Sequence, residues 1–307
     1  VFLEFEGIYG IARVWINGAL AAVNRNGYMG FSVDLKPWIS YENENIIRID
    51  VDNSKQPNSR WYSGSGIYRD VNLWTGKDVY ISHDKLRITT LSVNDDMAVI
   101  EVCAQLKNII GHGLEAECLI EIKKDGQKTA SDTQRVVFRS EQMQTVRVQI
   151  PIEHPKKWSP KQPALYECHI TTKFDDKICD EAVTNFGIRV LELDPVHGLQ
   201  INGETVKLRG TCIHHDNGVI GAETFKEAEW YRCKRLKEAG FNAIRSAHHP
   251  MSIAMLDACD HIGMLVMDEL TDMWDKEKNT YDFSDIFEDE YNQWINHMVE
   301  KDYNHPS

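Results

Sequence analysis

Gly240-Phe241-Asn242-Ala243-Ile244-Arg245-Ser246-Ala247-His248-His249-Pro250 and, a helix later, Leu265-Val266-Met267-Asp268-Glu269 decide how this chain is read. Each is a short apolar run that ends in polar, chemically capable residues. Between them Met255, Cys259 and Ile262 recur at helical spacing, and Gly263 stands where a residue closing the helix would. The pattern is strand, helix, strand. The same unit precedes it: Thr205-Val206-Lys207-Leu208-Arg209-Gly210 reads as a strand ending in Cys212-Ile213-His214-His215-Asp216. Thr224 and Glu227 have capping-box spacing, and Trp230, Cys233 and Leu236 mark the helix that closes at Gly240. Three strand ends thus bring His214, His215 and Asp216, then Arg245, His248 and His249, then Asp268 and Glu269 to one rim. In parallel α/β barrels, sites are built at that rim.

Working outward, residues from about 187 onward alternate strand and helix. Thr271 to Ser284 reads as a long loop. Asp285 to Tyr303 reads as a helix with Phe287, Tyr291, Trp294 and Met298 on one face. Upstream, Ala98, Ile100, Val102, Ala104 and Leu106 alternate at period two. Leu114 to Ile122, Val146 to Ile150 and Tyr166 to Thr172 do the same, with Asp125-Gly126 as a hairpin turn. Some seven short strands in this segment indicate an immunoglobulin-like sandwich, with nothing catalytic visible in it. Residues 1–80 also read as all-β, with Asn17-Gly18 as a hairpin turn and strands at Phe31–Asp34, Ile46–Val51 and Val71–Trp74. The loop Arg60-Trp61-Tyr62-Ser63-Gly64-Ser65-Gly66-Ile67-Tyr68-Arg69 offers ring faces that stack on a sugar or plug an interface, and the interface reading leads.

The net charge of −13 comes from 34 basic and 47 acidic residues with no basic cluster, which argues against a nucleic-acid partner. No apolar run has the length of a membrane span, and no signal peptide is visible. Position 1 opens mid-strand in Val1-Phe2-Leu3-Glu4-Phe5, so the natural start is expected upstream, and periplasm and cytoplasm both stay open as locations. Seven cysteines without a CxxC pair read as reduced core thiols, with one bridge in the middle segment left open.

Four histidines at two strand ends first suggest a metal hydrolase. Adjacent His214 and His215 would point to opposite sides of a strand, and no HExxH or His-x-His is present. No metal ligand is therefore assigned. The competing chemistry is sugar recognition, with His214, His248, Asp216, Arg245 and Glu269 as polar groups and Trp61, Tyr62 or Trp274 as flat walls. A structural alternative makes Arg245 and Glu269 only an ion pair across the rim.

Asn242 to Pro250, continued through Asp260-His261-Ile262-Gly263-Met264-Leu265-Val266-Met267-Asp268-Glu269, resembles the first signature of glycoside hydrolase family 2, the β-galactosidases, β-glucuronidases and β-mannosidases. The resemblance runs through Ser59 to Arg69, Trp158-Ser159-Pro160, Pro163-Ala164-Leu165-Tyr166, Phe186-Gly187-Ile188-Arg189, Asn202-Gly203 and Arg209-Gly210 with His214. It implies a partial jelly-roll sugar-binding domain (1–80), an immunoglobulin-like β-sandwich (81–188) and the first three βα units of a (β/α)8 TIM barrel (189–307). It also implies a retaining exo-glycosidase, first a β-galactosidase, with carbohydrate as partner and a homo-oligomer allowed for the full-length form.

By the same resemblance, His214 and His248 bind the sugar, Glu269 and Arg245 support the pocket floor, and Arg60 and Trp61 lie on a sugar-facing loop. Asn304-His305-Pro306-Ser307 is similar to the opening of the second signature, so the acid/base and nucleophile glutamates are expected beyond residue 307 and the isolated chain is expected to be inactive. Two departures stand out. The family usually has His-Tyr-Pro at His248-His249-Pro250, and the Glu and His that bind magnesium in some β-galactosidases are not matched in Leu270-Thr271-Asp272-Met273-Trp274. No cofactor is carried over. The rivals are a non-catalytic carbohydrate-binding protein and a metal-dependent hydrolase on a similar barrel.

Overall fold

The computed structural model describes residues 1–139 and 142–307. The chain forms two compact units, one of Val1–Thr75, Gly210–Ala258 and Val266–Val299, the other of Gly76–Arg209, Cys259–Leu265 and Glu300–Ser307.

In the first unit, Phe2–Phe5 pairs antiparallel with Phe31–Asp34 and Val71–Trp74, and Ile11–Ile16 pairs with Ala19–Asn24 and Ile47–Asp52. Alternation along Ile11–Ile16 buries Ala12, Val14 and Ile16 in one core with Leu3, Phe5, Ile8 and Val33. The hairpin at Asn17-Gly18 forms, with φ of 50° and 86°, the left-handed pair that such a two-residue turn needs. The same unit carries the parallel strands. Gly210–Ile213 runs beside Ala243–Ser246, which is followed in the sheet by Leu265–Met267.

Three sequence expectations are corrected here. The first parallel strand is Gly210–Ile213, not Thr205–Gly210. Glu204–Thr205 instead turns back at Asn202-Gly203 to pair with Gly198–Ile201, and Val206–Arg209 is not strand. The capping box does not form. Helix α1 spans Lys226–Glu238 with Phe225 at its N-cap and no side-chain cap, and the Thr224 amide donates to the Tyr68 carbonyl instead. Trp230 is 40% exposed, while Cys233 and Glu229 lie on the buried face. The third concerns α3, Ser284–Asp302. Its expected face holds at Trp294, which is buried, and at Phe287, which packs against it, while Tyr291 is exposed and Ile286 is buried beside them.

Helix ends are otherwise as the residues dictate. Gly240, at φ 91°, closes α1 with Gly240 N–H donating to the Lys237 carbonyl and Phe241 N–H to the Leu236 carbonyl. Helix α2, Ile253–Ile262, is capped by the Ser252 hydroxyl, which accepts from Met255 N–H at 3.2 Å, and the Glu6 carboxylate accepts from Ile253 N–H at 2.6 Å. A carboxylate is favoured at this positive end of the helix dipole.

In the second unit, Met97–Asn108 lies between Val79–Val93 and Met143–Glu153, and Leu114–Lys124 and Tyr166–Phe174 form the centre of a four-stranded sheet with Gln127–Phe138 and Lys177–Phe186. The period-two residues of the sequence are its core: Ala98, Ile100, Val102, Ala104 and Leu106 are fully buried with Cys118, Ile120 and Ile122. Asp125-Gly126 turns at φ 51° and 76°. All seven cysteines are free, and burial pushes the Cys118 and Cys168 thiols up to about 12. Among the described residues, no helix is long and apolar enough to cross a membrane.

Candidate functional site

The parallel strands set the site in the first unit. Along Ala243–Ser246 the side chains of Ile244 and Ser246 are buried and that of Arg245 is exposed, as alternation requires. The Ala247 amide donates to the Ile213 carbonyl at 2.8 Å, which ties the two strand ends together just before their histidines. The Ala247–His248 peptide is cis.

Glu269 holds two of the expected residues. One carboxylate oxygen accepts from Arg245 Nε, and the other lies 3.0 Å from His248 Nδ1. An ionised carboxylate only accepts and a guanidinium only donates; the Glu269 oxygen, at 3.0 Å, lies nearer His248 Nδ1 than Arg245 Nη2 does, at 3.3 Å, so the His248 proton is placed on Nδ1 and the Nε2 lone pair is left for another donor. Asp268, expected beside Glu269, does something different: its carboxylate accepts from Met251 N–H at 2.9 Å and fixes the turn after Pro250. Asp216 is exposed, with its backbone carbonyl held by Arg232 at 2.6 Å.

The aromatic wall is Trp61. Its indole lies parallel to His214, 5.1 Å between centroids and 2° between planes, and 5.2 Å from His248. His214 and His248 are 5.6 Å apart. Arg60 makes a two-pronged pair with Asp272, at 2.6 and 3.0 Å, and Lys278 joins the same carboxylate at 2.9 Å. Burial opposes ionisation of Asp272, but Arg60 and Lys278 win and hold its carboxyl below the usual range. Tyr62 and Trp274 are 61% and 65% exposed.

His214 and His215 diverge, although both lie past the end of the strand, which stops at Ile213, so strand alternation is not the cause. The His215 Nδ1 accepts from Arg69 at 3.2 Å and its Nε2 donates to the His249 carbonyl at 3.0 Å. His249 is fully buried and stacked on Tyr28 at 3.9 Å and 7°. Burial lowers the pKa values of His214, His215 and His249, the last to about 3, so these imidazoles are neutral at pH 7. Among the described residues these four histidines do not form a group that could hold a metal ion. The stretch Leu270–Trp274 does not fit magnesium either, because Asp272, its one carboxylate, already carries two cations.

Arg69, Asp272 and Tyr28 had not been singled out from the sequence. Arg69 stood inside the quoted loop, but Asp272 and Tyr28 reach the site through contacts that no local pattern announces.

Residues 79–189 match the family model described as glycosyl hydrolases family 2, and residues 195–307 match that family's TIM barrel domain. The chain belongs to glycoside hydrolase family 2. As a family 2 member it is 34% identical to the β-galactosidase BoGH2A of Bacteroides ovatus, over 99% of this chain and 36% of that protein. A Bacteroides fragilis β-glucuronidase is 27% identical, over 100% of this chain and 46% of that protein. The chain therefore spans under half the length of these relatives. Among solved structures, a family 2 glycosyl hydrolase of Bacteroides cellulosilyticus superposes with a TM-score of 0.94 at 35% identity, over 100% of this chain and 40% of that one. A β-glycosidase of Bacteroides vulgatus does so with a TM-score of 0.91 at 32% identity, over 99% and 38%.

Proposed function

We propose that residues 1–307 form the sugar-recognising part of a retaining exo-β-glycosidase that removes terminal β-linked sugars, β-galactosides first. The observation that carries this reading is the Trp61 indole set against His214 and His248, with His248 Nε2 free to accept a hydroxyl proton. The neutral His214 imidazole, the His248 ring and an indole face suit a polyhydroxylated, uncharged ring. The guanidinium groups of Arg60 and Arg245 are both ion-paired, which favours a neutral sugar over a uronate. Arg60 and Trp61, on this reading, line the sugar from the loop side, and Asp216 approaches it from the rim. Residues 1–80 act as the jelly roll, 81–188 as the immunoglobulin-like spacer and 189–307 as the opening of the barrel.

Retaining hydrolysis uses two carboxyl groups about 5–5.5 Å apart, one as nucleophile and one as acid/base. Glu269 is engaged by Arg245 and His248, and Asp272 by Arg60 and Lys278. Both are occupied as structural acceptors. By the family resemblance the two catalytic roles are expected of glutamates beyond these residues, and Glu269 acts by orienting His248.

Nitrophenyl β-glycosides test this with the protein that carries the chain and with residues 1–307 alone. The whole protein is expected to hydrolyse the β-galactoside with retention, and the β-glucuronide at least about tenfold less efficiently. The isolated chain is expected to hydrolyse neither. Preference for the glucuronide overturns the neutral-sugar reading, and sustained hydrolysis by the isolated chain overturns the assignment of the carboxylates. No hydrolysis of any β-glycoside by the whole protein overturns the function.

A further inference from the structure

We propose that Tyr28 is a positioning residue for the sugar site, setting the Trp61 indole through its hydroxyl. The inference rests on the proposed function for its effect on substrate, and on geometry alone for its link to Trp61.

Tyr28 is held unusually firmly for a residue outside regular structure. Its amide donates to the Asn26 side-chain oxygen at 3.0 Å, and its carbonyl accepts from Arg69 Nη1 at 3.3 Å. The preceding carbonyl, of Gly27, accepts from the Tyr68 hydroxyl at 3.0 Å. Gly27 is needed there, because a Cβ on it would lie 2.7 Å from the Tyr9 Cα. The ring is wedged as tightly. Tyr9, Tyr68 and Phe283 meet it edge-on at 5.3, 6.5 and 6.2 Å, and His249 covers one face at 3.9 Å. Only 2% of Tyr28 is exposed, so its ring position is fixed on several sides.

If packing were its whole role, a phenylalanine would serve equally. The hydroxyl is what distinguishes it, and that oxygen lies 3.1 Å from Trp61 Nε1. An indole N–H only donates, so the tyrosine oxygen is its acceptor. Trp61 is then constrained at three places: its carbonyl accepts from the Ser59 hydroxyl at 2.7 Å, its N–H meets Tyr28, and its face lies parallel to His214. Without the Tyr28 oxygen, the indole can turn about its side-chain bonds. The spacing between Trp61 and the two imidazoles then becomes variable. A bound ring gains from a wall that is already in place, because ordering a side chain on binding costs affinity. His249 contributes the flat face that packs against Tyr28.

The experiment is a cycle of Tyr28→Phe and Trp61→Phe in the protein that carries this chain, with nitrophenyl β-galactoside kinetics and fluorine spectra. The chain has eight tryptophans, and with 5-fluorotryptophan incorporated the Trp61 resonance is the one lost in Trp61→Phe. Tyr28→Phe should shift or broaden that resonance and leave the Trp158 signal in place. KM should rise about 3- to 10-fold while kcat changes less than about twofold, the size expected for one neutral hydrogen bond used for ground-state binding. In the Trp61→Phe background, Tyr28→Phe should leave KM nearly unchanged. An unmoved Trp61 resonance overturns the proposal, and so does an equal rise in KM in both backgrounds. Should Tyr28→Phe fail to fold, Trp61→Phe decides the matter from the other side: KM must rise at least as much, and an unchanged KM overturns the proposal. A protein that turns over no β-glycoside contradicts the proposed function, while the resonance still reports whether Tyr28 sets the indole.

Discussion

Changing His248 to Ala in the protein that carries this chain is expected to lower kcat/KM for a nitrophenyl β-galactoside by tens-fold, on the order of 2 kcal/mol. The expectation follows from the way Glu269 polarises the ring. With the Nδ1 proton directed to the Glu269 carboxylate at 3.0 Å, Nε2 keeps a lone pair on a ring whose centroid lies 5.2 Å from that of Trp61 and 5.6 Å from that of His214. Alanine removes that acceptor and leaves Glu269 paired with Arg245. Steady-state kinetics read the loss, and a melting curve confirms that the variant folds. Unchanged kinetics in a folded variant would remove His248 from the site.

Replacing Trp158 with Ala is expected to cost about 3–5 kcal/mol of stability, the range for truncating a large buried aromatic. Trp158 is fully buried in the second unit and bonded at every polar atom. Its indole N–H donates to the Asp260 carbonyl at 2.9 Å, its amide to the Ile188 carbonyl at 2.8 Å, and its own carbonyl accepts from Asn202 Nδ2 at 2.9 Å. Its neighbours leave little room to collapse into the gap. A Cβ on Gly187 would sit 2.8 Å from the Trp158 Cβ, which shows how closely the chain passes. Trp158→Phe keeps most of the ring and loses the indole donor, so it should cost less, about 1–3 kcal/mol for the carbonyl left unpaired. Urea midpoints measure both. A loss below about 1 kcal/mol for the alanine variant would show that this residue does not organise the unit.

The parts of the fold legible in the sequence are those where one periodicity meets one buried face. Ala98 to Leu106 could be read because every second residue is in the core. Gly240 and Gly263 could be read as helix closers because their φ values, 91° and 79°, suit glycine. The Thr224 cap failed because its spacing is only local, and the Thr224 amide was taken by Tyr68, far away in sequence. The face of α3 was misjudged at Tyr291, where helical spacing placed an aromatic that is 39% exposed.

The site divides in the same way. His248 and Glu269 were legible as strand-end residues of a βαβ pattern, and the structure brings them to 3.0 Å. Arg60 was read as sugar-facing, yet its guanidinium is joined to Asp272, 212 residues away, a pairing that spacing does not encode. Tyr28 follows a strand in an Asn-Gly-Tyr turn and carries no chemical motif. Its place beside Trp61 and His249 comes only from the three-dimensional path of the chain.

The central claim is that Trp61, His214 and His248 receive the sugar. The measurement that tests it most directly is a crystal structure of the protein that carries this chain, with a galactose-configured lactone bound. The account predicts the sugar ring against the Trp61 indole, with one hydroxyl within about 2.7–3.2 Å of His248 Nε2. A lactone bound elsewhere, with Trp61 still lying on His214 and His248 Nε2 untouched, would contradict it.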